Sequence, residues 1–153
     1  MNKKIVSALA VILSVFVLWG CGSASQASAP QTETHTFEMD GINMVVSVDL
    51  SDGYAVDSAT GAVYLYSDES KSDESLCAFG FPLTQEEYDQ IIAESDSYES
   101  FDEVGGGVIY ADGIAENYAY AVEGGQFFRI AVQNDSGVDP NTVYERFEVS
   151  AAE

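Results

Sequence analysis

Phe37-Glu38-Met39-Asp40-Gly41-Ile42-Asn43-Met44 reads as two strands folded back on each other at Asp40-Gly41. Asp-Gly is the favoured two-residue hairpin turn because both central positions need positive φ, which Asp tolerates and Gly adopts freely. A two-residue loop places Met39 opposite Ile42 and Phe37 opposite Met44. Those four side chains share one face, and Val46, Val48 and Leu50 continue it at period two. Glu38, Asn43, Ser47 and Asp49 fall on the other face. Turn chemistry and hydrophobic alternation agree, so this segment anchors an antiparallel sheet.

Working toward the C-terminus, Ser51-Asp52-Gly53 turns the chain and Ala62 to Tyr66 alternates as a strand. Asp68 to Ser75 is a polar loop leading into a strand from Leu76 to Phe81, in which Cys77 alternates in phase with Phe79 and Phe81. Cys77 is expected as a small buried hydrophobe. Thr84 and Glu87 form a capping box that starts a helix, and Tyr88, Ile91 and Ile92 give it an apolar stripe. That helix fades near Ser95. Gly105-Gly106-Gly107 reads as a flexible bend between helix and sheet.

A three-strand meander follows, turning at Asp112-Gly113 and at Gly124-Gly125. A two-residue Gly124-Gly125 loop predicts Val122 opposite Phe127, Ala121 opposite Phe128, Tyr120 opposite Arg129 and Ala119 opposite Ile130. In that register one face carries Ala119, Ala121, Phe128, Ile130 and Val132, whose small-against-large pairing makes room for a helix. The other face carries Tyr118, Tyr120, Phe127 and Arg129, an aromatic ledge with one cation, and this is the candidate binding surface. Asp139 then caps a short final helix with Pro140 at its first position and Val143, Tyr144 and Phe147 as its stripe; Glu148 to Glu153 is expected to fray.

These elements predict an α+β domain spanning residues 35–150, a mainly antiparallel sheet of about six or seven strands with two helices packed on it. Upstream, Gly22 to Thr34 is small, polar and aperiodic, a flexible tether within residues 21–34. Before it, Lys3 and Lys4 precede an apolar run from Ile5 to Trp19, shorter than the ~20 residues a spanning helix needs. Basic start, short apolar core and small residue make residues 1–20 a secretory signal. Leu18-Trp19-Gly20-Cys21 resembles a bacterial lipobox: leucine three before the cysteine, a small residue just before it, and a departure at Trp19, where a small residue is usual. The resemblance implies lipid on Cys21, tethering to the cell membrane on its extracytoplasmic side, and multiple acyl chains hold where one would not.

The exported part keeps Lys71, Arg129 and Arg146 against 26 acids, a formal charge near −23. Such a charge excludes nucleic acid as a partner, since like charges repel and no basic patch exists. The composition is nonetheless rich in Tyr, Phe, Val and Ile, enough for a core. With Cys21 committed to lipid, Cys77 has no disulfide partner within the chain.

The order of hairpin, Gly-Tyr turn, hairpin, helix, meander and helix resembles small bacterial lipoproteins with a PsbP-like α/β sandwich. The residues carrying it are Ile42 to Tyr54 and the closing strand–helix pair Phe128 to Phe147. That family usually has Leu-Pro before the Gly-aromatic pair; here Leu50-Ser51-Asp52-Gly53 departs from it. The resemblance implies binding or assembly rather than catalysis and transfers no site residues.

No nucleophilic triad is expected within the domain, because the single histidine, His35, sits at the tether's edge. The same absence removes a zinc site with imidazole ligands. Gly105-Gly106-Gly107 lacks the Lys-Ser/Thr of a phosphate loop. The acids of Asp68 to Ser75 lack the order of a calcium loop, and a solvated loop tip is the better reading. The expectation is a noncatalytic, lipid-anchored binding or assembly module, neither an enzyme nor dependent on a metal or cofactor, facing an extracytoplasmic protein or glycan. Rival readings are a hydrolase using two carboxylates and a Ca²⁺-dependent structural module.

Overall fold

In chain order the elements are β1 (Thr32–Met39), β2 (Ile42–Asp49), β3 (Ala55–Ala59), β4 (Ala62–Tyr66), β5 (Leu76–Leu83), α1 (Gln85–Ala93), β6 (Ser100–Val104), β7 (Gly107–Ala111), β8 (Ala115–Val122), β9 (Gln126–Gln133), α2 (Pro140–Tyr144) and β10 (Phe147–Ala151). This is a computed structural model that describes residues 31–39, 41–59 and 61–152. The predicted signal and Cys21 lie outside the described residues. The strands form two antiparallel sheets, one of three in the order β1-β2-β10 and one of seven in the order β3-β4-β5-β9-β8-β7-β6. The α+β class and the antiparallel character hold, but ten strands in two sheets replace the predicted six or seven.

The opening hairpin pairs as its turn dictates, with Met39 opposite Ile42 and Phe37 opposite Met44. Met44, Val46 and Val48 are fully buried, and Phe37 and Leu50 nearly so. β1 begins at Thr32, ahead of the expected domain start near His35. Against the inward face of this small sheet lie Val63, Leu65, Ala78, Phe128, Ile130 and Val132 of the seven-stranded sheet, together with Val143 of α2. The two sheets therefore share one dry apolar core. A Leu65/Tyr66 bulge interrupts the β4–β5 ladder, so Cys77 and Ala78 are both buried, and Cys77 leaves the phase of Phe79 and Phe81. Burial raises the Cys77 thiol pKa, in keeping with a structural cysteine.

Three strands were not anticipated. β3 pairs with β4 across the sequence 59–62, and β6 pairs with β7 across Gly105-Gly106. The glycine triplet is thus a tight hairpin rather than a flexible bend. Gly106 has φ of +92°, and a Cβ on Gly107 would sit 2.3 Å from the Ala119 carbonyl oxygen. The third is β10: instead of ending a helix, Phe147 starts a strand that pairs with β2, placing Phe147 opposite Val48 and Val149 opposite Val46. Of the segment predicted to fray, residues 148–151 are held by that ladder, because β2 offers the edge not taken by β1, which local sequence cannot reveal.

The α1 cap forms as predicted. The Glu87 amide donates to Thr84 Oγ1 at 3.2 Å, and the Thr84 amide donates to Glu87 Oε2 at 2.7 Å. Its stripe is narrower than expected: Ile91 is buried and Tyr88 half-buried, but Ile92 is exposed. At α2 the Asn141 amide donates to the Asp139 side chain at 3.0 Å, with Pro140 in the first turn. α1 lies on the face of the large sheet opposite the small sheet, over Leu83, Val108, Ala119 and Phe127.

Candidate functional site

The predicted ledge of Tyr118, Tyr120, Phe127 and Arg129 does not exist as one surface. The β8–β9 loop has three residues, Glu123-Gly124-Gly125, so Val122 stands opposite Gln126, Tyr120 opposite Phe128, and Ala119 opposite Arg129. Both glycines have positive φ, +87° and +75°, and the added residue slides the register by one. A one-residue slip exchanges the faces of a strand. β9 keeps the predicted orientation, with Phe128, Ile130 and Val132 inward; β8 is reversed.

Tyr118 and Tyr120 consequently turn toward the small sheet and α2. Their rings stack 4.7 Å apart, and Tyr118 lies 5.4 Å from Tyr144 of α2. Burial pushes the Tyr120 phenol far above its ordinary range, with Tyr118 adding to the effect. Burial, reinforced by Glu116, does the same to Tyr144, whose hydroxyl donates to Glu116 Oε1 at 3.3 Å. These tyrosines serve packing.

Phe127 and Arg129 occupy the opposite face, and the two have different roles. Phe127 is buried under α1, stacked 4.2 Å from Tyr88. Arg129 stands beside a row of half-buried aromatics that the predicted surface omitted. Tyr64 and Phe79 are 6.1 Å apart, Phe79 and Phe81 stack at 5.7 Å, and the Arg129 guanidinium lies 4.3 Å over Phe81. β5 and β9 are neighbours with Phe81 opposite Arg129, a pairing across nearly fifty residues that no local signal announces.

On its other side Arg129 Nη1 donates to the Tyr110 hydroxyl at 2.9 Å. Burial raises the Tyr110 phenol pKa, and the Arg129 charge works against that shift. The network continues through Asn117, which is almost wholly buried and donates to Asp112 Oδ2 at 3.1 Å. Asp112 also accepts the Ile114 and Ala115 amides at 3.0 and 2.9 Å. Burial opposes the Asp112 charge, but these hydrogen bonds and the nearby Arg129 outweigh it and lower the pKa.

Arg129 also lines a groove of about 230 Å³ between α1 and the sheet. Phe81, Leu83, Ile91 and Tyr98 supply apolar wall, and Glu87 and Gln90 of α1 with Glu94 at its C-cap supply the polar side. Among the described residues Arg129 makes no ion pair, and its buried Nε has no hydrogen-bond partner. Arg146 shares the unpartnered Nε but differs in its pairing. It too lines a depression, with Asp49, Asp52 and Glu145, but its guanidinium is committed to Asp52 and lies 4.4 Å over Tyr54.

His35 is not outside the domain. It sits within β1, and Ser58 Oγ of β3 lies 2.6 Å from its Nδ1 and 3.1 Å from its Nε2. Glu33 Oε2 is 3.7 Å from Nε2. A serine–histidine–carboxylate set is therefore present, contrary to expectation. Two features weaken it as a triad. The hydroxyl faces the ring edge between both nitrogens rather than the lone pair of one, and the carboxylate is beyond hydrogen-bond distance. The set links the edges of the two sheets.

The 68–75 loop is organised by local bonds, one of them to an acid, Asp68. The Ser70 amide donates to Asp68 Oδ1 at 2.8 Å, and Ser72 and Ser75 cap each other. Among the described residues no three His, Cys, Asp or Glu side chains group so as to hold a metal ion. Among them, too, no helix is long and apolar enough to cross a membrane. No family model, no curated protein and no solved structure matches this chain.

Proposed function

We propose that this chain is a lipid-anchored extracytoplasmic module that binds a ligand or partner rather than transforming one. The observation that carries the binding role is Arg129: a guanidinium held in place by Phe81 and Tyr110, lining a groove, with no ion pair among the described residues of a strongly acidic chain. A fixed, unpaired guanidinium offers recognition at little entropic cost. The lipobox-like Leu18-Trp19-Gly20-Cys21 supports the anchor, and the polar segment after it supports display away from the membrane. A small sheet and α2 on one face of the large sheet, with α1 on the other, support a PsbP-like sandwich as the finer architecture.

Two measurements test this reading. Labelled palmitate should enter the wild-type chain and not Cys21→Ala, and the variant should leave the membrane fraction. Cross-linking on intact cells should then capture a partner or ligand in a manner that Arg129→Gln reduces. Labelling of Cys21→Ala equal to wild type would remove the anchor; capture indifferent to Arg129 would remove the groove.

A further inference from the structure

We propose that the groove between α1 and the seven-stranded sheet takes a small zwitterion bearing an apolar group, the chemistry shared by a free apolar amino acid and a short apolar peptide. This rests on the binding role just assigned to Arg129.

The guanidinium is preorganised. Phe81 lies beneath it at 4.3 Å, and Tyr110 accepts from Nη1 at 2.9 Å. The remaining Nη1 hydrogen and both Nη2 hydrogens have no partner among the described residues, a donor fork of the kind that receives a carboxylate. Among the described residues no carboxylate is in ion-pair contact with this half-buried cation, Asp112 acting on it only from a distance, and a carboxylate in the groove supplies the missing contact.

A simple anion is disfavoured there. The chain carries 26 acids against three exported basic side chains, and Glu87 and Glu94 both line the groove. Each of the two has an oxygen to spare. Glu87 Oε2 serves the Thr84 cap, and Glu94 Oε1 accepts from Gln90 Nε2 at 2.9 Å, leaving Glu87 Oε1 and Glu94 Oε2. A ligand with an ammonium as well as a carboxylate is neutral overall, escapes the general repulsion, and matches both signs in the groove. Phe81 and Tyr98 present the apolar wall for its side chain, with the almost wholly buried Leu83 and Ile91 behind them. The volume, about 230 Å³, is below the ~300 Å³ where drug-sized pockets begin, which fits a single amino acid or one terminal residue of a short peptide.

The test is titration calorimetry of the full chain in detergent with four probes. L-leucine and trileucine are zwitterions, leucinamide keeps only the ammonium, and N-acetyl-leucine keeps only the carboxylate. At least one zwitterion should bind, leucinamide and N-acetyl-leucine should each bind at least ~10-fold more weakly, and Arg129→Gln should weaken binding ~10-fold or more, as expected for losing a charged hydrogen bond. Preference for leucine points to a free amino acid, and preference for trileucine to a peptide. If Arg129→Gln fails to fold, Glu94→Gln, an exposed groove residue at the C-cap of α1, serves instead: it should weaken the zwitterion and leave N-acetyl-leucine unchanged or improved. No heat with either zwitterion at ~10 mM, far above the range of a useful site, overturns the proposal. So does N-acetyl-leucine matching leucine. If those results coincide with cross-linked capture that still depends on Arg129, the ligand class falls while the binding role stands.

Discussion

The two faces of the seven-stranded sheet are built on different principles. The face toward the small sheet is dry. Val63, Leu65, Phe128, Ile130 and Val132 meet Met44, Val46 and Val48, all essentially without solvent exposure. The other face is only partly covered by α1, and it carries a polar chain from Asp112 through Asn117 to Tyr110 and Arg129. Dry packing fixes the fold; a polar, half-covered face leaves groups able to engage something else. The two arginines repeat this lesson on a smaller scale, since Arg146 is committed to Asp52 while Arg129, among the described residues, meets the Phe81 ring and the Tyr110 hydroxyl but no carboxylate.

The sharpest way to break the comparison is Phe128→Ala. Phe128 is fully buried, with its ring 6.3 Å from Phe147 and 6.2 Å from Tyr120. Truncation should cost about 3–5 kcal/mol through lost burial and an unfilled cavity, read as a large fall in denaturation midpoint. A loss below about 1 kcal/mol would mean that this face is not the organising core.

Asp112→Asn probes the polar face. Its carboxylate has a folded pKa below the ordinary 3.8, so its stabilisation is present above that value and disappears as pH falls through the folded pKa. The variant should be less stable by about 1–2 kcal/mol at neutral pH, having lost charge-assisted acceptance from two amides and Asn117. The gap between the two proteins should begin to narrow as pH falls toward 3.8 and close as it passes through the lower folded pKa. A gap independent of pH would show that charge is not what holds this network.

The smallest effect belongs to Phe79→Ser. Phe79 is half-buried on the open side, 5.7 Å from Phe81 and 6.1 Å from Tyr64. Losing two aromatic contacts on a solvated face should cost no more than about 1 kcal/mol. A cost rivalling that of Phe128→Ala would erase the distinction between the faces.

Much of this arrangement was legible locally. The Asp40-Gly41 turn set both register and face for the first hairpin. Thr84 with Glu87, and Asp139 with Pro140, marked the helix starts, because caps are satisfied by residues a few positions away. What failed was either a near tie or a long-range event. Gly124-Gly125 is compatible with a two- or a three-residue loop, and the choice decides which face Tyr118 and Tyr120 join. Phe147 to Ala151 is ambiguous alone and becomes a strand only because β2 offers an edge. His35 looked external because the residues preceding it resemble a tether, yet β1 extends back to Thr32 along β2. Of the predicted surface, Arg129 alone remains at the candidate site. Its partners Phe81 and Tyr110, and Tyr98 across the groove, were visible as aromatics in strands or beside them, with nothing to say that β5, β7 and β9 would converge.

The sequence by itself determined the elements that close over short distances: the first hairpin, both helix caps, the acidic balance, and the expectation of a lipid-anchored leader. Each depends on side chains a few residues apart and on backbone preferences that need no partner. Only the tertiary structure decided the division into two sheets, the register of β8 on β9, and the setting of Arg129 over Phe81 beside α1. Those depend on which edges find each other and which faces can be buried together, and that competition is settled by the whole chain at once.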